Sequence, residues 1–311
     1  MKYLLISFII LLNACSPKYI YKASVQQIEI LTKREKISDV LKENDKTKFS
    51  SEEFEKLKLV LEVRDFSQTI GLKPKNSYLY YTKLDKENLG YLLMASKKDA
   101  FALKTWWFPI VGSVPYKGFT TLEDAKKEAF KLENKDYEVF IRPITAYSTL
   151  GWFSDPILSI ALKEDTPSLA NIVIHEIFHN TFWYKNDVKK NESLANWTGL
   201  NGAIDFFKQK IKNSIETHKR IDKEIQENYK KSIYYLEREK FLAKHINKLY
   251  EELESLYKNH DLTKQEKLEK KQALFVSTKN IINSKYPELK ILKNPNNAEL
   301  IGLVLYLGEI D

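Results

Sequence analysis

Apolar and polar residues recur along this chain with two periods, one typical of helices and one typical of strands. The helical period predicts helices over 25–43, 51–69 and 122–132. Alternation predicts short strands over 78–82, 89–95, 106–111 and 137–142. Ser50 or Ser51 could cap the second helix, and Glu53 favours Ser50 because the two would form a capping box. Together these elements predict a small mixed sheet in the first half of the chain.

Beyond Gly202 an approximately helical period continues through highly charged sequence. Its apolar positions include Ile204, Phe207, Ile211, Ile215, Ile225, Tyr229, Ile233, Leu249, Leu253 and Leu256. Residues 259–261 are typical of a turn, and Thr263 with Glu266 predicts a second capping box. The pattern therefore predicts a long helical hairpin, or arm, over 205–285. Coiled-coil pairing is an alternative, although the repeat is irregular. The fold class expected from all these elements is α+β and predominantly helical.

The first fourteen residues have the pattern of a lipoprotein signal peptide. An apolar run from Leu4 to Leu12, broken only by Ser7, is too short for a bilayer, which takes about 20 residues. Ala14 and Cys15 close the run as a lipobox does, and Cys15 is the only cysteine, so an internal disulfide is impossible. We expect Cys15 to be lipidated and to become the mature N-terminus; an ordinary signal peptide with an incidental cysteine is the alternative.

Ser16 follows Cys15, where an aspartate would favour retention at the inner membrane in many Gram-negative bacteria. We therefore expect a protein anchored through its N-terminal lipid in the outer membrane and facing the periplasm, with surface display as the alternative.

The formal charge of the chain is +8, and loss of residues 1–14 removes one lysine, which leaves +7. Lysine-rich stretches such as 219–240 also carry many glutamates, which is typical of a solvated helix face. The sequence contains no nucleic-acid-binding motif and no glycine-rich phosphate loop. We therefore expect no nucleic-acid partner.

The stretch 173–183 reads VIHEIFHNTFW and places two of the five histidines four residues apart. Thr166 can cap a helix and Pro167 suits its first position, which predicts a helix that continues to about Trp183. On that helix His175 and His179 would share one face. Glu176 completes H-E-x-x-H, in which both imidazoles bind zinc and the glutamate acts as general base. Two core histidines beside an incidental acid are the alternative interpretation.

A catalytic zinc site needs a third protein ligand, and Glu192 is the obvious candidate. A turn at 185–187 would let a second helix fold back against the first. Ala195, Gly199 and Gly202 would lie on nearly the same face as Glu192, where small side chains allow the helices to approach closely. We therefore predict one Zn²⁺ per chain, bound by His175, His179 and Glu192.

Several further blocks accompany these motifs. They are 104–112 (KTWWFPIVG), Arg142-Pro143, 146–159 (AYSTLGWFSDPILS), 191–195 (NESLA) and, more faintly, Asn296-Asn297-Ala298. With these blocks the chain resembles the predicted aminopeptidase family of Gram-negative bacterial lipoproteins, which are gluzincin-type metallopeptidases. The resemblance implies a zincin-like catalytic domain, zinc hydrolase chemistry and a peptide substrate. The chain departs from better-known zinc aminopeptidases because its third ligand lies closer to H-E-x-x-H and because it has no G-x-M-E-N segment.

Within this family resemblance, Tyr147 in the densest motif is our candidate for stabilising the oxyanion, although a core tyrosine is an equal alternative among 18 tyrosines. Asp187 could accept the second N–H of a ligand histidine or could simply form the turn. His218, His245 and His260 are expected to be ordinary surface histidines.

The domain order expected from the sequence begins with a signal peptide (1–14) and a lipidated segment with the first helix (15–50). A zincin-like catalytic region (51–204) and the helical arm (205–285) follow, and a C-terminal segment (286–311) returns to the catalytic region. Two alternative functions stay open: a zinc-binding scaffold or binding lipoprotein, and a metallohydrolase of cell-wall fragments. Glu176 argues against the scaffold, because a purely structural zinc needs no base. The sequence does not identify a protein partner for the arm.

Overall fold

The computed structural model describes residues 28–108, 112–144, 155–185, 187–217 and 222–308. Its longer helices are α1 (Ile37–Glu43), α2 (Ser51–Thr69), α3 (Leu122–Glu133), α4 (Thr166–Thr181), α5 (Val188–Glu216), α6 (Lys223–Lys258), α7 (Lys264–Lys285) and α8 (Asn297–Leu307). Its strands are β1 (Glu35–Lys36), β2 (Tyr80–Thr82), β3 (Gly90–Lys97), β4 (Trp106–Phe108), β5 (Gly112–Val114), β6 (Lys117–Phe119), β7 (Tyr137–Ile144) and β8 (Ile157–Leu158). The predicted α+β, predominantly helical class is confirmed.

The chain forms two compact units, each assembled from separate stretches of sequence. The first unit contains 30–87 and the described part of 145–241, and the second contains the described part of 88–144 together with 242–308. The predicted domain boundaries, including the start of the arm at 205, stay predictions.

In the first unit, helix α4 packs between α2 and α5. Buried apolar side chains from the three helices form one core, and they include Leu57, Val60, Val63, Leu169, Val173, Ile177, Ala195, Ala203 and Phe207. A small mixed sheet accompanies them, with β2 antiparallel to β1 and parallel to β8. The helix that carries H-E-x-x-H is therefore the central element of this unit, and its position is determined from both sides.

The start of α2 agrees with the predicted capping box. The backbone amide of Glu53 donates to Ser50 Oγ at 3.2 Å, and the amide of Ser50 donates to Glu53 Oε2 at 2.8 Å. Helix α7 begins in the same way at Thr263 and Glu266, as predicted.

The sequence predicted one continuous helix over 25–43, and this prediction is wrong for the residues that the structure describes. Residues 28–32 are helical, but strand β1 interrupts the chain before α1 begins. Lys36 pairs with Tyr80 of β2, and the amide of Ile37 donates to the carbonyl of Leu79 at 3.0 Å. Pairing with a distant strand outweighs local helix propensity here, because propensity differences are below about 1 kcal/mol per residue.

In the second unit, β3 lies between β6 and β7 in an antiparallel sheet, and Leu93 pairs with Ile141. Leu93 and Ala95 pack against Ala129 and Leu132 of α3. The strands predicted over 89–95 and 137–142 are present as β3 and β7. Strand β4 covers the first half of the strand predicted over 106–111, and 109–111 lie outside the described residues.

The Asn-Asn-Ala motif begins α8 and attaches it to this sheet. Asn296 donates from Nδ2 to the carbonyl of Val139 at 2.8 Å, and Asn297 donates from Nδ2 to the carbonyl of Lys97 at 2.8 Å. The side chain of Asn297 is fully buried, so its hydrogen bonds replace those it would form with water. This part of the family signature therefore has a structural role in the second unit. Across the described ranges, none of the helices combines the length and apolar character needed to cross a membrane.

Candidate metal centre

Helix α4 carries the H-E-x-x-H motif, and it begins one residue earlier than the sequence predicted. Asp165, not Thr166, is the N-cap: its Oδ1 accepts a hydrogen bond from the amide of Ser168 at 2.9 Å. Thr166 is already the first helical residue and Pro167 follows it. A carboxylate also interacts favourably with the positive end of the helix dipole, which a threonine hydroxyl does less well. The helix ends at Thr181, two residues before the predicted Trp183.

The end of α4 is attached to the loop that precedes β2. The amide nitrogen of the Asn180 side chain donates to Ser77 Oγ at 3.0 Å, and Thr181 Oγ1 accepts from the amide of Lys73 at 2.9 Å. Asn180 is buried, so this bond has no competition from water. No pattern in the sequence indicated this role, although Asn180 directly follows the motif.

The turn between α4 and α5 is closed by Asn191, the residue before the predicted third ligand. Asn191 Oδ1 accepts from the amide of Tyr184 at 2.8 Å, and its Nδ2 donates to the carbonyls of Tyr184 and Asp187 at 2.7 and 2.8 Å. Asp187 Oδ1 caps α5 by accepting from the amide of Lys190 at 2.9 Å. Of its two predicted roles, Asp187 therefore has the turn-forming one. These bonds determine where α5 starts and so where Glu192 projects.

Small residues allow α5 to approach α4 closely, as the sequence predicted. Ala195, Gly199 and Gly202 are buried in α5. A β-carbon placed on Gly199 would lie 2.1 Å from Asn171 Oδ1, and one on Gly202 would lie 2.9 Å from Ile174 Cδ1. Larger side chains at these positions would separate the helices.

At this contact the structure brings His175, His179 and Glu192 together. One potential ligand atom from each residue lies within 4.8 Å of the others, and the group could hold a metal ion. His175 Nε2 lies 3.5 Å from Glu192 Oε2, and His179 Nε2 lies 3.6 Å from Glu192 Oε1. Two ligands on a tetrahedral zinc are about 3.4 Å apart, given bond lengths near 2.1 Å. The spacing of the carboxylate from both imidazoles thus fits such an ion.

The protonation of the two imidazoles is set by different surroundings. Burial and the neighbouring His175 together lower the pKa of His179 to about 4, against the opposing charge of Glu192, so His179 is neutral at pH 7. Within the described chain, His179 Nδ1 is buried and has no hydrogen-bond partner. Burial also lowers the pKa of His175, but its hydrogen bond to Glu192 and the charges of Glu176 and Glu192 raise it above its ordinary value. A metal ligand must present a neutral imidazole, which His179 already does.

Glu176 lies beside the ligand group without belonging to it. The pKa of its carboxyl is raised to about 7, mainly by burial and also by the negative charges of Glu192 and Asp155, while His175 acts in the opposite direction. A carboxyl group with a pKa near neutrality can both accept and release a proton under physiological conditions.

No pattern in the sequence assigned a role to two further buried polar residues, Asp155 and Asn196. Asp155 lies within the family block 146–159, and its charge acts on Glu176 although the two are 21 positions apart in sequence. Asn196 is buried, and neither its side-chain oxygen nor its nitrogen has a hydrogen-bond partner in the part of the chain that the structure describes. Asn196 follows Glu192 by four residues, which on a helix is the same face. The four-residue spacing from Glu192 is the signal in the sequence that could have identified Asn196.

Three other predicted residues fall on stretches that the structure does not describe. Tyr147 and Cys15 lie outside the described residues, and so does His218. His245 and His260 are described and are not part of the ligand group.

A family model described as "Putative aminopeptidase" matches residues 18–309. No curated protein and no solved structure matches the chain.

Proposed function

The chain belongs to the aminopeptidase family that this model describes, and we propose that it is a zinc-dependent peptidase that removes residues from free amino termini. One observation carries the zinc assignment: a single carboxylate, Glu192, reaches the Nε2 atoms of both His175 and His179, at 3.5 and 3.6 Å. Glu176 lies beside this group and is buried. Two imidazoles and one carboxylate form a common ligand set of catalytic zinc, which leaves a fourth position open. We therefore expect one Zn²⁺ per chain.

Bound zinc would lower the pKa of a water molecule and polarise a peptide carbonyl. In this proposal Glu176 takes the proton of the attacking water and passes it to the departing amine. Glu192 and the two histidines hold the metal, and Asn191 fixes the turn that places Glu192. We assign stabilisation of the oxyanion to Tyr147, as the family motif suggests.

We also propose that the enzyme is anchored in the cell envelope through a lipid on Cys15. The support is the apolar run before Cys15 and the serine that follows it. The outer membrane, with the enzyme facing the periplasm, is the proposed location.

The decisive experiment separates an enzyme from a zinc-binding scaffold. Glu176→Gln keeps the shape of the side chain but removes the base, so it should retain zinc and the melting temperature of the wild type. Loss of general-base assistance should lower peptide hydrolysis at least about a hundredfold. Mass spectrometry of a peptide library with free and blocked amino termini would measure both the rate and the mode of cleavage.

Stepwise loss of residues from free termini is the expected result. Internal cuts would identify an endopeptidase, and cleavage of cell-wall fragments but not of peptides would favour the alternative hydrolase. Equal processing by the wild type and Glu176→Gln would contradict the proposed mechanism, and wild-type protein that binds zinc but cleaves nothing would favour the scaffold.

A further inference from the structure

Three rings form a row that begins at the metal ligands. The ring centres of His175 and His179 are 5.0 Å apart, and those of His179 and Trp183 are 6.1 Å apart, with near-perpendicular planes. His179 is 6% exposed, whereas Trp183 is 47% exposed. The row therefore leads from a buried ligand to a large aromatic surface in contact with solvent.

Trp183 is held in place although it follows the end of α4. Phe182 adopts an extended conformation and turns the chain away from the helix axis. The next residue, Tyr184, is bound through both its amide and its carbonyl to the side chain of Asn191. Since these two hydrogen bonds also close the turn into α5, the position of Trp183 is linked to the helix that carries Glu192.

The neighbouring aromatic rings have other contacts. The Phe182 ring lies 5.3 Å from that of Phe178, and Lys190 Nζ lies 4.0 Å above the ring of Tyr184. Trp183 differs from both because its ring contacts a proposed metal ligand. Large exposed apolar groups beside a polar centre are typical of ligand sites, since their burial by a ligand is favourable.

We propose that Trp183 is a specificity-determining residue, which binds a large apolar, preferably aromatic, side chain next to the scissile peptide bond. This inference rests on the proposed peptidase function. The Trp183 ring centre lies 6.1 Å from that of His179, so a peptide whose carbonyl lies at the proposed metal ligands would have a flanking side chain near the indole. Stacking of two aromatic rings adds about 0.5–1.5 kcal/mol beyond the burial of their area.

Trp197 provides a matched control for this proposal. It is 46% exposed and belongs to α5, like Glu192. Five residues at 100° each place it about 140° around the helix from Glu192, so it points away from the ligand face. Replacement of either tryptophan by alanine removes the same exposed side chain.

The test uses pairs of peptides that differ only by Phe or Ala beside the scissile bond. Calorimetry on zinc-loaded Glu176→Gln protein measures binding without cleavage, and kcat/KM is measured with Glu176 intact. The parent in each measurement is the protein with Trp183 intact. We expect it to prefer the Phe peptide over the Ala peptide by roughly tenfold or more. Trp183→Ala should reduce that preference to within about twofold, Trp183→Phe should keep most of it, and Trp197→Ala should leave it unchanged. Zinc content and melting temperature should stay at the parent values in all three.

Other outcomes overturn the proposal. A Trp183→Ala protein that keeps the Phe preference would show that the indole does not contact the substrate side chain. If that variant instead lost binding to phosphatidylglycerol-containing vesicles, the aromatic segment would be a membrane contact. Failure of the parent to bind any peptide also excludes the proposal. Binding is measured separately from turnover, so peptides that bind in a Trp183-dependent way but are never cleaved would refute the peptidase function and leave the binding surface intact.

Discussion

Gly199 of α5 lies directly against Asn171 of α4, with no room for a side chain between them. A β-carbon on Gly199 would lie 2.1 Å from Asn171 Oδ1 and 2.9 Å from the Asn171 carbonyl oxygen. The two helices can approach this closely only because the residue is glycine. Farther along the same contact, Glu192 of α5 reaches both histidines of α4. The packing of one glycine and the geometry of the candidate metal centre thus belong to the same helix pair.

We predict that Gly199→Ala destabilises the protein and weakens metal binding. Alanine improves helix propensity by about 1 kcal/mol, but overpacking against a backbone carbonyl costs about 1–3 kcal/mol and pushes Glu192 away from the histidines. Urea denaturation would measure the free energy of unfolding, and a zinc titration would measure affinity. Gly202→Ala is the control: its β-carbon meets the flexible end of Ile174 at 2.9 Å, so its effect should be smaller. A Gly199→Ala variant that binds zinc with the affinity of the wild type would contradict this prediction.

We predict about one equivalent of zinc in the purified wild-type protein, given one set of three ligands. His179→Ala and Glu192→Gln should each lose most of it, because a site with two protein ligands holds zinc weakly. Elemental analysis after dialysis gives the metal content. His245→Ala, which replaces a histidine outside the ligand group, should keep the full equivalent. Full zinc retention in His179→Ala would refute the ligand assignment.

The contribution of Asp165 to stability should depend on pH. Burial raises its pKa, but hydrogen bonds from the Tyr235 hydroxyl, the Ser168 amide and Lys231 outweigh burial and lower the pKa below its ordinary value. Lys231 Nζ lies 3.0 Å from Asp165 Oδ2, and the Tyr235 hydroxyl donates to the same oxygen. Because the pKa in the folded state is depressed, the stabilisation is complete above the ordinary pKa and disappears as the pH falls through the folded-state pKa.

Asp165→Asn should therefore lower the free energy of unfolding by about 1 kcal/mol at pH 7, an amount reduced by the solvent exposure of the carboxylate. The difference in free energy of unfolding between the variant and the wild type should shrink as the pH falls through the folded-state pKa, below which the aspartate is protonated in both states. Chemical denaturation of both proteins at several pH values measures this difference. If the variant and the wild type differ in their free energy of unfolding by the same amount at neutral and at acidic pH, the charge of Asp165 contributes nothing to stability.

Cys15 should carry the lipid that anchors the protein. Cys15→Ala should remove the acylation site, so the protein should no longer incorporate a labelled fatty acid or partition with membranes. Metabolic labelling and intact-mass measurement of the wild type provide the test. A wild-type protein without an acyl chain would exclude the lipoprotein assignment.

The sequence alone predicted the features that depend on residues close together in the chain. Ser50 with Glu53 and Thr263 with Glu266 form capping boxes because three-residue spacing on a helix brings each pair into contact. His175 and His179 share a face for the same reason. The small-residue strip of α5 also followed from helical periodicity, and Glu192 was predicted as the acidic residue that comes soon after His179. Local geometry determines these contacts, so a linear pattern contains them.

Tertiary structure decided what no short stretch of sequence contains. Strand β1 interrupts a helical pattern because Lys36 pairs with Tyr80, and Asp155 raises the pKa of Glu176 across 21 positions. Asn297 binds the carbonyl of Lys97, which joins the C-terminal helix to a sheet formed 200 residues earlier. Each such contact is selected by the free energy of the whole packed unit, in which burial and hydrogen bonding between distant segments outweigh local preference. Periodicity predicts which face of a helix is buried; only the packed chain determines which distant partner buries it.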